Sequence, residues 1–402
     1  MKVALVHDWL TGMRGGEAVL EAFCELYPNA DLYTLLHTPS TVSGTITDRK
    51  IVTSFIQRLP FVERRYRMYL PLFPRAIRSF DLSGYDLVLS SSHCVAKGVR
   101  VPSGVVHISY IHTPMRYIWD RYDDYFGPGR ASLGVRLAAS IAAPRLRAWD
   151  VASSEGVDWF IANSRYVAAR IKRCYNREST VIYPPVNCSR FGLADGTVEG
   201  KIKRAGKGSG CDPFYLVVSA LVPYKRVDVA VEAFTNMGQT GRRLVVIGSG
   251  PEGAKLKSAA GPNVEFLGWK SNEEIAQYYR EAAALLFPGE EDFGIVPVEA
   301  MASGTPVLAF AKGGALETVV PPGGTGKREG EAAAPTGLFF GSQTPEALTK
   351  AVEEFERCSS LFDPAAIRAH ALEFDSVRFT ESIREFITLK REEFARTLKE
   401  ER

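Results

Sequence analysis

Short apolar runs, too brief for helices, recur along this 402-residue chain with helical stretches between them. The first is Val3–Val6, which leads through a loop, His7–Gly16, into a helical stretch over Glu17–Leu26. Further runs follow at Asp31–Leu36, Asp86–Ser90, Val105–His112 and Trp159–Ala162. Strands of this kind, buried on both faces and separated by helices, make parallel sheets. The pattern lapses in GLADGTVEGKIKRAGKGSGCDP, which offers glycine and charge but little to bury. It then resumes with a strand over Phe214–Leu221, a helix over Val227–Met237 and a strand over Leu244–Ile247. Glu252–Ala260 reads as helix, Val264–Leu267 as extended and Glu273–Ala283 as helix, and Leu285–Phe287, Val296–Ser303, Val307–Phe310 and Gly337–Phe340 continue the alternation. The chain is helical and increasingly charged from Pro364. The expected class is α/β, with two Rossmann-like doubly wound domains facing a cleft. Their expected bounds are 1–190 and 214–375, with a linker or mobile loop over 191–213 and a C-terminal helix over 376–402 that packs back on the first domain.

Charge narrows the function. The chain has 49 Lys and Arg against 46 Asp and Glu, net +3, which argues against a nucleic-acid partner. With 46% hydrophobic and 24% charged residues, it has the composition of a globular protein rather than a disordered one. None of the six cysteines forms a C-x-x-C pair, as expected of free thiols in a reducing cytoplasm. The opening MKVALVHDWL lacks the features of a signal peptide, and no window reaches the roughly 18 apolar residues of a membrane span. The expected location is therefore cytoplasmic or peripheral. Within Phe55–Phe80, six arginines interleave with Phe, Tyr and Leu against the single acid Glu63. That pattern suits an interfacial helix or loop on an anionic membrane surface; a solvated amphipathic face is the alternative.

Two motifs compete for the chemistry. Gly248-Ser249-Gly250-Pro251-Glu252-Gly253 fits G-x-G-x-x-G between a strand and a helix, the fingerprint of a dinucleotide site. No acidic residue cleanly ends the next strand, so a tight strand-to-helix turn is the stronger reading. EEDFGIVPVEAMASGTP at 290–306 is more specific. Glu291 and Glu299 bracket Phe293 and Gly294 across a loop-to-helix boundary. Carboxylates so placed can grip both ends of a sugar nucleotide, while Gly294 admits close backbone approach and the helix start favours a diphosphate. A plain acidic helix start is the alternative.

This segment, with GGE near the start, ANSRYVAARI at 162–171 and LVPYKRVD at 221–228, resembles the retaining glycosyltransferases of family 4, which have the GT-B fold. The run HTPMRYIWD at 112–120 resembles a bacterial mannosyltransferase-like branch that builds exopolysaccharide or O-antigen. The resemblance implies an acceptor-side first domain and a nucleotide-sugar-binding second one. It puts Glu291 on the donor sugar, Glu299 on the ribose, the backbone of Phe293 to Ile295 on sugar and diphosphate, and Lys225 on phosphate. Gly15 and Gly16 would approach the diphosphate and His112 the sugar. Trp269 would lie near the base, and Arg116, Tyr117 and Asp120 could meet the acceptor. Relatives usually carry an Arg where this chain has Ala220, and Arg226 is one candidate to compensate. The implied reaction moves a hexose, mannose from GDP-mannose, to a lipid-linked or oligosaccharide acceptor in polysaccharide biosynthesis, at the inner face of the cytoplasmic membrane. No D-x-D triplet occurs, so neither metal nor other cofactor is expected. A nicotinamide oxidoreductase using the Gly248 loop, or a sugar-nucleotide-binding protein without catalysis, are the alternatives.

Overall fold

The computed structural model describes residues 1–129, 131–193, 196–203, 214–238, 240–324 and 334–400. The chain forms two compact units, Met1–Pro185 with Ser376–Arg402, and Val186–Asp375. Each is built on one parallel sheet.

In the first unit, seven strands run β1 (Val3–His7), β2 (Asp31–Thr34), β3 (Ile51–Thr53), β4 (Leu87–Ser92), β5 (Val106–Ile111), β6 (Trp159–Ala162) and β7 (Ser179–Val181). Their order in the sheet is β3-β2-β1-β4-β5-β6-β7, all parallel. The order reverses at β1, which lies between β2 and β4; ligands of such sheets bind beyond the strand ends at that point. Apolar layers cover both faces. Trp9, Ile56, Val62, Tyr66, Phe73 and Ile77 bury one side. On the other, Leu5, Leu20, Phe23 and Ile108 pack with Phe379, Ile383, Phe386 and Ile387 of the long C-terminal helix Ser376–Glu400. Strands β3 and β7 were not expected from the sequence: each has three residues, none fully buried, so neither leaves an apolar run.

The second unit has six strands, β8 (Phe214–Val218), β9 (Arg243–Ile247), β10 (Val264–Gly268), β11 (Ala284–Phe287), β12 (Val307–Phe310) and β13 (Gly337–Phe340). The order is β10-β9-β8-β11-β12-β13, again parallel, with its reversal between β8 and β11. Helices Val227–Met237 and Pro345–Arg357 bury Val231, Phe234, Val352 and Phe355.

Three expectations need correction. Gly15 and Gly16 are not loop: the helix begins at Gly15, so both lie in its first turn, ahead of Glu17. The segment expected as a linker contains a helix, Val198–Lys203, because Val198 is a buried apolar anchor and Lys201 donates to the Ala282 carbonyl at 3.1 Å; its residues 194–195 and 204–213 lie outside the described residues. The basic segment 55–80, expected as an interfacial helix or loop, is not one continuous helix. It folds as successive short turns, and Ile56, Tyr66, Phe73 and Phe80 belong to the core, which leaves Phe61 and Met68 exposed at 76% and 70%.

Candidate active site

Each reversal point gathers polar side chains. In the second unit, Lys225 ends a turn, Pro223–Lys225, just past β8, and Glu291 lies on the loop leaving β11. The Lys225 Nζ is ion-paired with Glu291 Oε1, both largely shielded from solvent. The Glu291 loop is pinned from beyond β12: the Gly314 N–H donates to the Glu291 carbonyl at 2.9 Å, and a Cβ at Gly313 would sit 2.3 Å from that oxygen. Gly294 starts the helix Ile295–Ala302 at φ 86, a left-handed conformation that L side chains rarely adopt, and a Cβ there would press on the Phe287 ring at 3.0 Å. The first turn of that helix carries the N–H groups of Ile295 and Val296, though none at Pro297, and a positive dipole end.

Further along the same helix, Glu299 accepts from the Tyr279 hydroxyl at 3.0 Å. Burial pushes its carboxyl above the usual range, although Tyr279 and Arg190 oppose the shift. Phe293 is buried with its ring tilted against Phe374, so it contributes backbone rather than ring to the loop. Arg226, at φ 53, is held by Asp228 at 3.1 Å and by Gln343, which donates to the Pro288 carbonyl. It thus braces the β11 exit. Ala220 is exposed between β8 and Lys225, and Trp269, 77% exposed, follows β10. The glycines of the Gly248 motif serve packing: Cβ atoms at Gly248 and Gly250 would fall 1.9 Å from Ser219 O and 2.4 Å from Leu221 O. These close approaches account for the motif without a dinucleotide.

In the first unit the reversal point is a buried hydrogen-bonded cluster. Asp8, fully buried after β1, accepts four backbone N–H bonds from the turn after β4: His93 and Cys94 to Oδ2, Val95 and Ala96 to Oδ1, at 2.6–2.9 Å. His93 Nδ1 lies 3.1 Å from the same carboxylate. Strand register sets His7 beside Ser91. His7 Nδ1 is 3.1 Å from Ser91 Oγ, which is 2.8 Å from His112 Nε2 at the end of β5. Glu17 Oε1 stands 3.9 Å from His7 Nε2, and its other oxygen accepts from the Arg14 N–H at 3.1 Å. A Cβ at Gly16 would meet the His112 and His7 rings at 3.6 Å, so the helix start lies against both. Burial, with His93, His7 and Arg116 nearby, holds His112 well below the usual histidine range, and burial likewise lowers His93. Both are therefore neutral near pH 7.

Two residues expected to meet the acceptor have partners inside this unit. The Tyr117 hydroxyl pairs with Cys94 Sγ, and Asp120 is ion-paired with Arg170 and Arg173 of helix Arg165–Tyr175. Arg116 opens the short helix after His112. An open polar groove lies alongside, lined by Trp119, Asp120, Tyr122, Asp123 and Arg147. His7, Asp8, Glu17, Ser91 and His93 were missed as site residues; the polar run Ser90-Ser91-Ser92-His93 ending a buried strand was the available signal. Among the described residues, no cluster of three or more His, Cys, Asp or Glu could hold a metal.

Two family models match successive stretches: Glycosyltransferase Family 4 over residues 13–190 and Glycosyl transferases group 1 over residues 200–369. With both sheets in place, the chain belongs to the family 4/group 1 glycosyltransferases of the GT-B fold. Its relatives include a D-inositol 3-phosphate glycosyltransferase of Streptomyces scabiei, 31% identical over 42% of each chain. An uncharacterised glycosyltransferase of Methanocaldococcus jannaschii is 30% identical over 40% of this chain and 43% of that one. The chain thus matches well under half the length of these curated relatives. Of solved structures, sucrose-phosphate synthase from Thermosynechococcus elongatus superposes with TM-score 0.71 at 20% identity, over 98% of this chain and all of that one. Anabaena HepE in complex with UDP gives 0.66 at 15% identity, over 96% and 100%. These likenesses show the fold.

Proposed function

We propose that the protein is a retaining glycosyltransferase that moves a hexose, mannose from GDP-mannose, onto a lipid-linked or oligosaccharide acceptor. The observation that carries the reading is the Lys225–Glu291 pair at the β8/β11 reversal, beside a helix start opened by Gly294. A diphosphate there draws on Lys225 and the helix N–H groups, and frees Glu291 for the sugar hydroxyls. As the bond from the anomeric carbon to the diphosphate breaks, charge grows on the leaving oxygen, and Lys225 is placed to neutralise it. The acceptor oxygen bonds to the anomeric carbon on the same face, and its proton passes to the departing diphosphate. Glu299, oriented by Tyr279, takes the ribose hydroxyls, and His112 is assigned to the donor sugar. Relatives in structure support a nucleotide-sugar partner, since HepE has been solved with UDP-glucose.

Thermal-shift titration against GDP-, UDP- and ADP-sugars tests the reading, since a ligand that binds only the folded state raises the melting temperature. Stabilisation by GDP-mannose with transfer to an acceptor is the expected result. Stabilisation by NAD instead would return the Gly248 loop to contention, and binding without transfer or donor hydrolysis would leave a non-catalytic binder, the reading Ala220 favours. Transfer is expected without added divalent metal. Complete loss in chelator, restored by magnesium or manganese, would overturn that.

The acceptor side is proposed to work at an anionic membrane surface. No helix among the described residues is long and apolar enough to cross a membrane. Exposed Phe61, held at φ 54, and Met68 lie among exposed Arg64, Arg65 and Arg67. Helix Leu133–Ala152 adds an exposed stripe, Leu133, Leu137 and Ile141, with Arg136 and Arg145 and no acid before Asp150. Flotation with vesicles containing anionic lipid should carry the protein upward; its absence would refute the membrane surface.

A further inference from the structure

The tautomer of His112 is set by a chain of contacts rather than by the ring itself. The Ser91 hydroxyl lies between two imidazole nitrogens, His7 Nδ1 at 3.1 Å and His112 Nε2 at 2.8 Å. One hydroxyl proton can be donated to only one of them, so the other must donate to Ser91. Two polarities are possible, and Glu17 chooses between them. Its carboxylate faces His7 Nε2 at 3.9 Å, in a site where both side chains are nearly dry. A bare Nε2 lone pair would meet that negative charge, whereas an Nε2–H satisfies it. The same His7 nitrogen has no hydrogen-bond partner among the described residues, so this contact is the one charge it faces closely there. Burial works against the ionised Glu17, yet the His7 contact outweighs it and holds the carboxyl below its usual range.

With the proton on His7 Nε2, His7 Nδ1 accepts from Ser91, Ser91 accepts from His112 Nε2–H, and His112 Nδ1 is left with its lone pair. Among the described residues Nδ1 makes no hydrogen bond. We propose that Glu17, His7 and Ser91 act as positioning residues that hold His112 as the Nε2–H tautomer, so that its Nδ1 accepts a hydrogen bond from a substrate hydroxyl. The proposal deepens the transferase reading, on which it rests for the identity of that hydroxyl.

The charged or titratable groups facing His7 and His112 include Asp8 after β1, Glu17 on the helix Gly15–Leu26, His93 after β4, Tyr110 on β5 and Arg116 after β5. Glu17 alone among them contacts His7 through a carboxylate.

The test reads the tautomer directly, by two-bond nitrogen–proton correlation NMR on the nitrogen-labelled full chain, with His112→Ala to assign one of the six histidines. Wild type is expected to show a neutral Nε2–H ring at His112. Ser91→Ala and Glu17→Gln are expected to mix or invert the tautomers and to lower kcat by about tenfold, the loss of one hydrogen bond. KM for the donor and the melting-temperature shift with nucleoside diphosphate should hold. Ser91→Thr, which keeps a hydroxyl, should recover the pattern. An Nδ1–H or doubly protonated His112 in wild type overturns the proposal, as does an unchanged tautomer in both variants; Glu17→Gln decides alone if Ser91→Ala does not fold. The NMR reading needs no sugar, so a correct tautomer with no sugar-nucleotide binding would sink the transferase reading and leave the relay standing.

Discussion

The two reversal points solve the same topological problem with opposite chemistry. In the second unit the site is an ion pair between partly accessible side chains, framed by glycines that let backbone segments meet. In the first it is a dry network in which Asp8 is saturated by backbone donors and three histidines lie within ring contact. Parallel strands explain why both sites lie where they do; they say nothing about what is put there. The accessible pair is suited to exchange partners when an anion arrives, and the buried network to stay fixed while it does.

The largest effect expected is on exchange. Lys225→Met should lower kcat/KM for sugar transfer by about 100- to 1,000-fold, or about 3–4 kcal/mol, as for other donors that face a developing anion. A loss under fivefold would remove Lys225 from the reaction and with it the contrast between the two sites. Rigidity comes next. Asp8→Ala strands several buried N–H groups and should cost about 3 kcal/mol, read as a lower denaturation midpoint with no change in nucleotide affinity beyond that expected from lost folded protein. Ala220→Arg restores a cation near Lys225 and should raise the transfer rate by about three- to tenfold; an unchanged or lower rate would show that this chain holds its diphosphate without one. The smallest effect concerns Glu299. Because its carboxyl lies above the usual range when folded, keeping it ionised weighs against the fold. Glu299→Gln should therefore raise the melting temperature by about 1–3 °C near pH 7 and above. The gain should fade as pH falls through the folded value and vanish below the ordinary carboxylate range, where both forms are neutral. Weaker nucleotide binding should accompany it.

Strands such as Trp159–Ala162 and Val307–Phe310 were legible because a run buried on both faces has no other reading at that length. The end of β4 was not. The apolar pattern stops at Leu89, but the strand continues through three buried serines, whose hydroxyl partners include His107, Ser109, His7 and His112. The second unit's site was readable because Glu291, Gly294 and Glu299 fall within a nine-residue span, and local spacing carries their geometry. The first unit's site is assembled across 84 residues by strand register, as between His7 and Ser91, and no local pattern records that distance. The partners of Tyr117 and Asp120 were unreadable for the same reason: Cys94, Arg170 and Arg173 come from elsewhere in the chain.

The C-terminal helix has a consequence for synthesis. Phe379, Ile383, Phe386 and Ile387 seal one face of the first sheet, yet they are made after the whole second unit. On the ribosome, the second unit can close as soon as its contiguous stretch emerges. The first must wait, with Leu5, Leu20 and Ile108 uncovered, until Phe379 to Ile387 have followed the second unit out. The order in which the two units are completed is thus the reverse of the order in which they are begun.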